Sequence, residues 1–260
     1  MSNKKSLVLL SGGQDSTTCF IEEIKKGRDV TALAFNYSQR HAVELKFARD
    51  LCDLYGVTLH LVSVTLPEMK TALIGEGDVS AESPLTRGHT DALPASFVPG
   101  RNAMFLSIAY GFAVAHDFDR VVTGVCETDY SGYPDCRQNF ITSIGRTLAE
   151  TYGTASCRPV IEAPLMHSDK ELIWTRAHEL GVLNIVLCSR TCYYGSDEWR
   201  HYGRGCDACP ACNLRRKGFD NFKGHIKDNV KLAMVNAVTQ RRAKTNQLFT
   251  EDFAFINYTS

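Results

Sequence analysis

The sequence predicts an α/β protein: an open, mostly parallel sheet with helices on both faces. Three observations carry this. Apolar runs of strand length alternate with segments of helical period over about the first 180 residues. The first strand feeds directly into a glycine-rich turn and a helix. Glycines at 27, 56, 153 and 181 end the helical segments. Parallel strands need crossover helices, and strict β–α alternation supplies them.

The elements follow in order. Strands are predicted at 6–10 (SLVLL), 30–35 (VTALAF), 59–64 (LHLVSV), 120–125 (RVVTGV) and 158–164 (RPVIEAP). Each is nearly all apolar, as strands covered on both faces are. The helix after the first strand runs through STTCFIEEIKK to Gly27. The second, within 39–56, sets Val43, Phe47, Leu51 and Leu54 at near-helical spacing. The third, 101–117, is apolar all round and so buried. The fourth, 135–153, is amphipathic. The fifth, 168–181, has Ser168 as its expected N-cap, with Glu171 at capping-box spacing. Segment 65–100 reads as a long loop, either a lid or partly disordered. After Leu187 the composition shifts to Cys, Tyr, Gly and Arg. The expected division is therefore an α/β unit, 1–187, and a small metal-stabilised, helical C-terminal region, 188–260.

The most informative stretch is Leu10, Ser11, Gly12, Gly13, Gln14, Asp15, Ser16, Thr17, Thr18, Cys19 and Phe20. Glycines let the backbone turn sharply and approach a ligand. The helix behind them offers unsatisfied N–H groups and a partial positive charge, a setting that binds phosphate. No Lys follows the glycines, so this is not the GxxxxGK[ST] loop. SGGQDSTT instead resembles the pyrophosphate loop of the N-type ATP pyrophosphatases, which split ATP between its α- and β-phosphates to activate an oxygen as an adenylate. In an open α/β sheet, such a loop sits at the C-terminal strand edge, where ligands bind.

Composition bounds the rest. The 260 residues are 44% hydrophobic with formal net charge zero. That suffices for one sizeable core. The balance argues against an extended nucleic-acid face, which needs a basic excess. No export signal is read after MSNKK, and no run reaches the length of a membrane span. With ten Cys, these features lead us to expect a reducing cytoplasm, where clustered thiols signal metal or chemistry rather than disulfides.

Cys206, Cys209 and Cys212 form CxxCxxC, and Cys192 precedes the first of them with thirteen residues between. Four thiolates close a tetrahedral zinc shell and can hold a segment too small for its own core. The fuller iron–sulfur run is not met, while each CxxC is also a dithiol candidate. Spacing alone leaves Cys188 competing with Cys192 for the fourth position. Cys19 and Cys52 fall in helical patterns and read as core residues.

Two further segments, FVPGRNAMFL (97–106) and VTGVCETDYSGYPDCR (122–137), join SGGQDSTT, YSQRH (37–41) and TCY…CxxCxxCNLR in one order. Together they closely resemble the 7-cyano-7-deazaguanine synthases of queuosine biosynthesis, over roughly 8–218. The chain departs from that pattern at Ser38, in a longer stretch between Cys192 and Cys206, and in a longer tail after about Lys223. The resemblance implies an adenine nucleotide α-hydrolase-like, Rossmann-like fold. It also implies ATP, Zn²⁺ and Mg²⁺ as cofactors. The substrates would be 7-carboxy-7-deazaguanine and ammonia, with no direct nucleic-acid or membrane partner, and a homodimer is expected. The family's Thr-Cys-Tyr triplet, here Thr191-Cys192-Tyr193, selects Cys192 as the fourth metal ligand.

Residue roles follow as expectations. Residues 10–20 hold the nucleotide, and Asp15 is also a candidate for Mg²⁺. Arg101 pairs with phosphate or the substrate carboxylate, both suited to a bidentate guanidinium. Lys170 opens a helix, where a cation opposes the dipole and so asks for an anionic partner. Asp15, Arg101 and Lys170 are the catalytic set. Arg101, Asn102, Glu127, Asp129, Tyr133 and Asp135 are the substrate set, the carboxylates matching N–H donors on a guanine-like edge. Arg40 and His41 are weaker candidates. NLRRKGF and QRRAKT read as solvated helix faces. Competing readings are a pyrophosphate-loop tRNA-modifying enzyme, a zinc-stabilised nucleic-acid-binding module, and a relative that stops at the amide or conjugates a deazapurine.

Overall fold

The computed structural model describes residues 4–37, 43–66, 71–73, 78–79, 93–127, 133–153, 159–226, 232–233, 235–237 and 239. Five strands, β1 (Lys5–Leu9), β2 (Asp29–Asn36), β3 (Leu59–Ser63), β4 (Arg120–Val122) and β5 (Val160–Glu162), pair in parallel in the order β3-β2-β1-β4-β5. Sequence and structure agree on all five positions. β4 and β5 are shorter than predicted, because Gly124 leaves the ladder for the loop at the sheet's C-terminal edge.

Alternate residues of the strands feed two cores. Leu7, Leu33, Phe35 and Val121 face α3 (Arg101–Ala115) and α4 (Gln138–Thr151), meeting Leu106, Ala109 and Ile141. Val8, Val30, Ala32 and Val122 face the other way, toward Phe20 and Ile21 of α1 (Gln14–Lys25) and Phe47 and Leu51 of α2 (Val43–Tyr55). The strand order reverses between β1 and β4. The crevice at that switch point is where an open sheet places its ligand.

The C-terminal part is more integrated than the composition shift suggests. α5 (Lys170–Glu179) is followed by α6 (Leu183–Cys188), a short hairpin of β6 (Trp199–Arg200) and β7 (Gly203–Arg204), and α7 (Pro210–His225). The expected boundary at 187/188 falls in the last turn of α6. Trp174 of α5 and Phe219 of α7 pack edge to face, 4.9 Å apart, in the same buried cluster as Phe20 and Val8. The Trp174 indole donates to the Arg215 carbonyl at 3.2 Å. α7 crosses α5 at Gly218 so closely that a Cβ there would lie 2.7 Å from the Lys170 carbonyl carbon.

Two sequence expectations are corrected here. The N-cap of α5 is Asp169, not Ser168: its carboxylate accepts the Leu172 N–H at 2.8 Å. A charged cap also complements the helix dipole. Glu171 then does not close a capping box and instead accepts from His225. NLRRKGF is not a solvated face throughout, since Arg215 is fully buried. Cys19 and Cys52 are core residues as read, and burial pushes the Cys52 thiol up to about 12. Among the described residues no helix is long and apolar enough to cross a membrane.

Candidate active site

β1 ends at the glycine turn, and α1 begins at Gln14. Gly12 has φ +88°, and a Cβ there would collide with the Glu44 carbonyl. Only glycine lets the first turn of α2 sit this tightly on the loop. Ser16 closes the turn. Its hydroxyl accepts the Ser11 N–H at 3.2 Å, donates to the Gly13 carbonyl at 3.2 Å and lies 3.0 Å from the Ser11 hydroxyl.

A cavity of about 320 Å³ opens at the switch point, with Ser11, Gly13 and the first turn of α1, Gln14 to Ser16, along one side. That volume lies in the range of small-molecule sites. The Gln14 amide is 1% exposed, and neither its oxygen nor its nitrogen has a hydrogen-bond partner among the described residues. Buried polar groups are rarely left so.

The two cations expected from the sequence border the cavity. Lys170, buried at the first position of α5, pairs with the Asp15 carboxylate at 2.7 Å. The pair explains how a cation survives at a helix start: Asp15 supplies the compensating charge. Arg101 opens α3 opposite the loop, its guanidinium carbon 6.0 Å from the Tyr37 ring centre. Burial would pull Arg101 down, but the Tyr37 and Tyr133 phenols and the Asp135 carboxylate outweigh it and raise its pKa. It therefore stays cationic at the cavity wall. Phe35 and Phe105 stack 4.1 Å apart in the same wall and make an apolar, aromatic side.

Other expected residues are placed differently. Thr17, Thr18, Cys19 and Phe20 lie behind the first turn of α1, and Gly12 beneath it. None of these five lines the cavity. Thr18 bonds back to the Gln14 carbonyl at 2.9 Å, while Cys19 and Phe20 belong to the core. Asn102 borders the cavity, and its side chain donates to the Asp135 carbonyl at 3.2 Å. The Asp135 carboxylate accepts the Asn102 backbone N–H at 3.4 Å at the start of α3. Burial raises the pKa of Asp135, against the opposing pull of Arg101 and of that N–H. Glu127 accepts the Gln138 N–H at 3.0 Å, capping α4. Tyr133 bonds Ser96 at 2.6 Å. Glu127, Tyr133 and Asp135 thus stand behind the cavity rather than on its wall. Asp129, Arg40 and His41 lie outside the described residues.

The sequence reading missed one wall, formed by Arg190, Thr191 and Tyr193. The Arg190 N–H donates to the Gly12 carbonyl at 2.8 Å. The Arg190 side chain pairs with Asp197, and burial together with Arg204 lowers its pKa to about 10. The available signal was the Thr191-Cys192-Tyr193 triplet, read only for its thiol.

The sulfurs of Cys192, Cys206, Cys209 and Cys212 lie within 4.8 Å of one another, and those of Cys206 and Cys212 are 3.9 Å apart. A tetrahedral zinc–thiolate shell has sulfur–sulfur edges of about 3.8 Å, from bonds of about 2.3 Å. Backbone N–H groups of Cys209 and Ala208 point at the Cys206 sulfur, at 3.2 and 3.4 Å, as they would toward thiolate. The Cys192 thiol is pulled down by its neighbours Cys209 and Cys212, whereas Cys209 is pushed up to about 11 by Cys192. Cys192, Cys209 and Cys212 compete for protons, and a bound cation would remove that competition. These donors fit a metal ion, and Cys188, in α6, is not among them.

The match to known proteins is broad. A family model described as "Queuosine biosynthesis protein QueC" matches residues 5–223. The chain belongs to the QueC family. Among its relatives is the 7-cyano-7-deazaguanine synthase of Wolinella succinogenes, 39% identical over 87% of this chain and 97% of the relative. That of Bacillus subtilis is 39% identical over 85% of this chain and 96% of the relative. Among solved structures, a 4-thiouridine synthetase–RNA complex with bound ATP superposes with a TM-score of 0.42 and 17% identity, over 93% of this chain and 54% of that one.

Proposed function

We propose that this QueC-family chain is an ATP-dependent carbon–nitrogen ligase that converts 7-carboxy-7-deazaguanine and ammonia to 7-cyano-7-deazaguanine. One observation carries the reading. A glycine turn and helix N-terminus, of the kind that binds phosphate, faces a fixed Arg101 cation across a cavity with an aromatic side.

The chemistry asks for this arrangement. A carboxylate resists ammonia because its oxygen leaves poorly. Attack of that oxygen on the α-phosphorus of ATP gives an acyl adenylate and pyrophosphate. Ammonia displaces AMP and gives the amide. The amide oxygen attacks the α-phosphorus of a second ATP and releases pyrophosphate, and loss of AMP and two protons then leaves the nitrile. The loop N–H groups and Lys170 stabilise phosphate charge, while Arg101 holds the carboxylate in line. The stacked Phe35 and Phe105 offer a surface to a flat heterocycle. Asp15 is proposed to hold Mg²⁺, which would neutralise phosphate charge. The four cysteines are proposed to hold Zn²⁺, which would cross-link the segment behind the loop.

The test is mass spectrometry of products from 7-carboxy-7-deazaguanine, ATP and ammonium. The nitrile should appear with AMP and pyrophosphate, and the synthetic amide should give nitrile without added ammonia. A reaction that stops at the amide would refute the assignment. So would ATP turnover driven by tRNA alone, which would favour a tRNA-modifying enzyme.

A further inference from the structure

The turn that meets the nucleotide has no side-chain cap of its own. Gly13 occupies the N-cap position of α1 and offers no side-chain oxygen to the N–H groups behind it. The missing oxygen comes from 177 residues away: the Thr191 hydroxyl accepts the Gln14 N–H at 3.2 Å. Thr191 is itself fixed. The Arg215 guanidinium donates to the same hydroxyl oxygen at 2.9 Å. Arg215 is fully buried and also donates to the carbonyls of Val186, Leu187, Ser189 and Tyr202 at 2.8 to 3.2 Å. One residue before Thr191, the Arg190 N–H holds the Gly12 carbonyl. Both anchors adjoin the cysteine cluster: Thr191 precedes Cys192, and Arg215 lies one helical turn after Cys212.

We infer that Thr191 is a positioning residue for the nucleotide, a cap supplied from a distant part of the same chain that Arg215 and the cysteine knuckle hold against the phosphate loop. Two adjacent glycines make this turn costly to order. The Thr191 strap orders it before the nucleotide arrives, so that less binding free energy is spent on fixing the loop. A hydroxyl oxygen has two acceptor sites, and both are engaged. The knuckle thus contributes to nucleotide affinity through a hydrogen bond as well as by holding its own segment together. This inference rests on the cavity being the ATP site.

The experiment compares Thr191→Val, Thr191→Ser and the unaltered protein. Each is titrated calorimetrically with a non-hydrolysable ATP analogue, and zinc content and melting temperature are measured on the same samples. Thr191→Val should keep its zinc and weaken the analogue about five- to tenfold, the loss of roughly one hydrogen bond. Thr191→Ser should restore affinity to within twofold. In turnover, the KM for ATP should rise in Thr191→Val while the KM for the deazapurine stays within twofold. Unchanged analogue affinity in Thr191→Val would overturn the inference. Loss of zinc together with affinity would also overturn it, because the hydroxyl would then serve the knuckle alone. If the unaltered protein fails to bind the analogue, it is the proposed function that fails.

Discussion

Replacing Gly218 with Ala tests how the C-terminal helix and the cavity depend on each other. The new Cβ would collide with the Lys170 Cβ and lie 2.7 Å from the Lys170 carbonyl carbon and 3.0 Å from the Glu171 nitrogen. Ordinary carbon contacts begin near about 3.5 Å, so α7 and α5 must part by about 1 Å. Overpacking of this kind costs about 1–3 kcal/mol, and the better helix propensity of Ala returns about 1. The net loss, about 0–2 kcal/mol, should lower the melting temperature by no more than about 8 °C. Activity should suffer more. Lys170 opens α5 and meets Asp15 at 2.7 Å, a distance that a displacement of this size takes beyond hydrogen bonding. Misplacement of a catalytic group by about 1 Å can cost about a hundredfold, so kcat/KM for ATP should fall about ten- to a hundredfold. Pyrophosphate release gives the rate, and scanning fluorimetry gives the melting temperature. A variant with a lowered melting temperature but kcat/KM within twofold of the unaltered protein would refute the claim that α7 sets the position of Lys170.

Purified protein should carry about one zinc per chain by elemental analysis, and Ser at 192, 206, 209 or 212 should abolish it while Cys188→Ser does not; stoichiometric iron would reject the assignment. Asp15→Asn should cut ATP turnover at least tenfold in a folded, zinc-loaded protein, since Lys170 loses its carboxylate partner; near-normal turnover would mislocate the site. Native-state alkylation at pH 8 should spare Cys52, because its thiolate becomes populated only as the pH approaches about 12; rapid labelling seen by peptide mapping would contradict its burial.

Much of this was legible in the sequence, and the reasons are local. The five strands are apolar runs bounded by glycines. The phosphate turn is contiguous, and CxxCxxC carries three metal ligands within seven residues. What escaped was pairing across long separations. Ser168 and Asp169 are both good caps, and only the observed backbone decides between them. Glu127 and Asp135 looked like ligand acids because loop carboxylates commonly are, yet each meets a helix N-terminus that needed one. Arg215 looked solvated because its neighbours Arg216 and Lys217 are charged. The carbonyls that bury it come from α6 and the hairpin, and neither element was predicted.

The Thr191 strap also sets a schedule. The glycine turn leaves the ribosome before the groups that steady it, Thr191 and Arg215, which follow up to about 200 residues later. At about 5–20 residues per second, the turn waits roughly 10–40 s for its support. The sheet's first two strands and the helix between them can form during that interval, since their contacts are local. The turn itself, with two glycines and no cap of its own, is completed only once α7 has docked on α5. A nascent chain halted before residue 215 therefore presents the glycine-loop sequence without the Arg215 guanidinium that fixes the Thr191 strap.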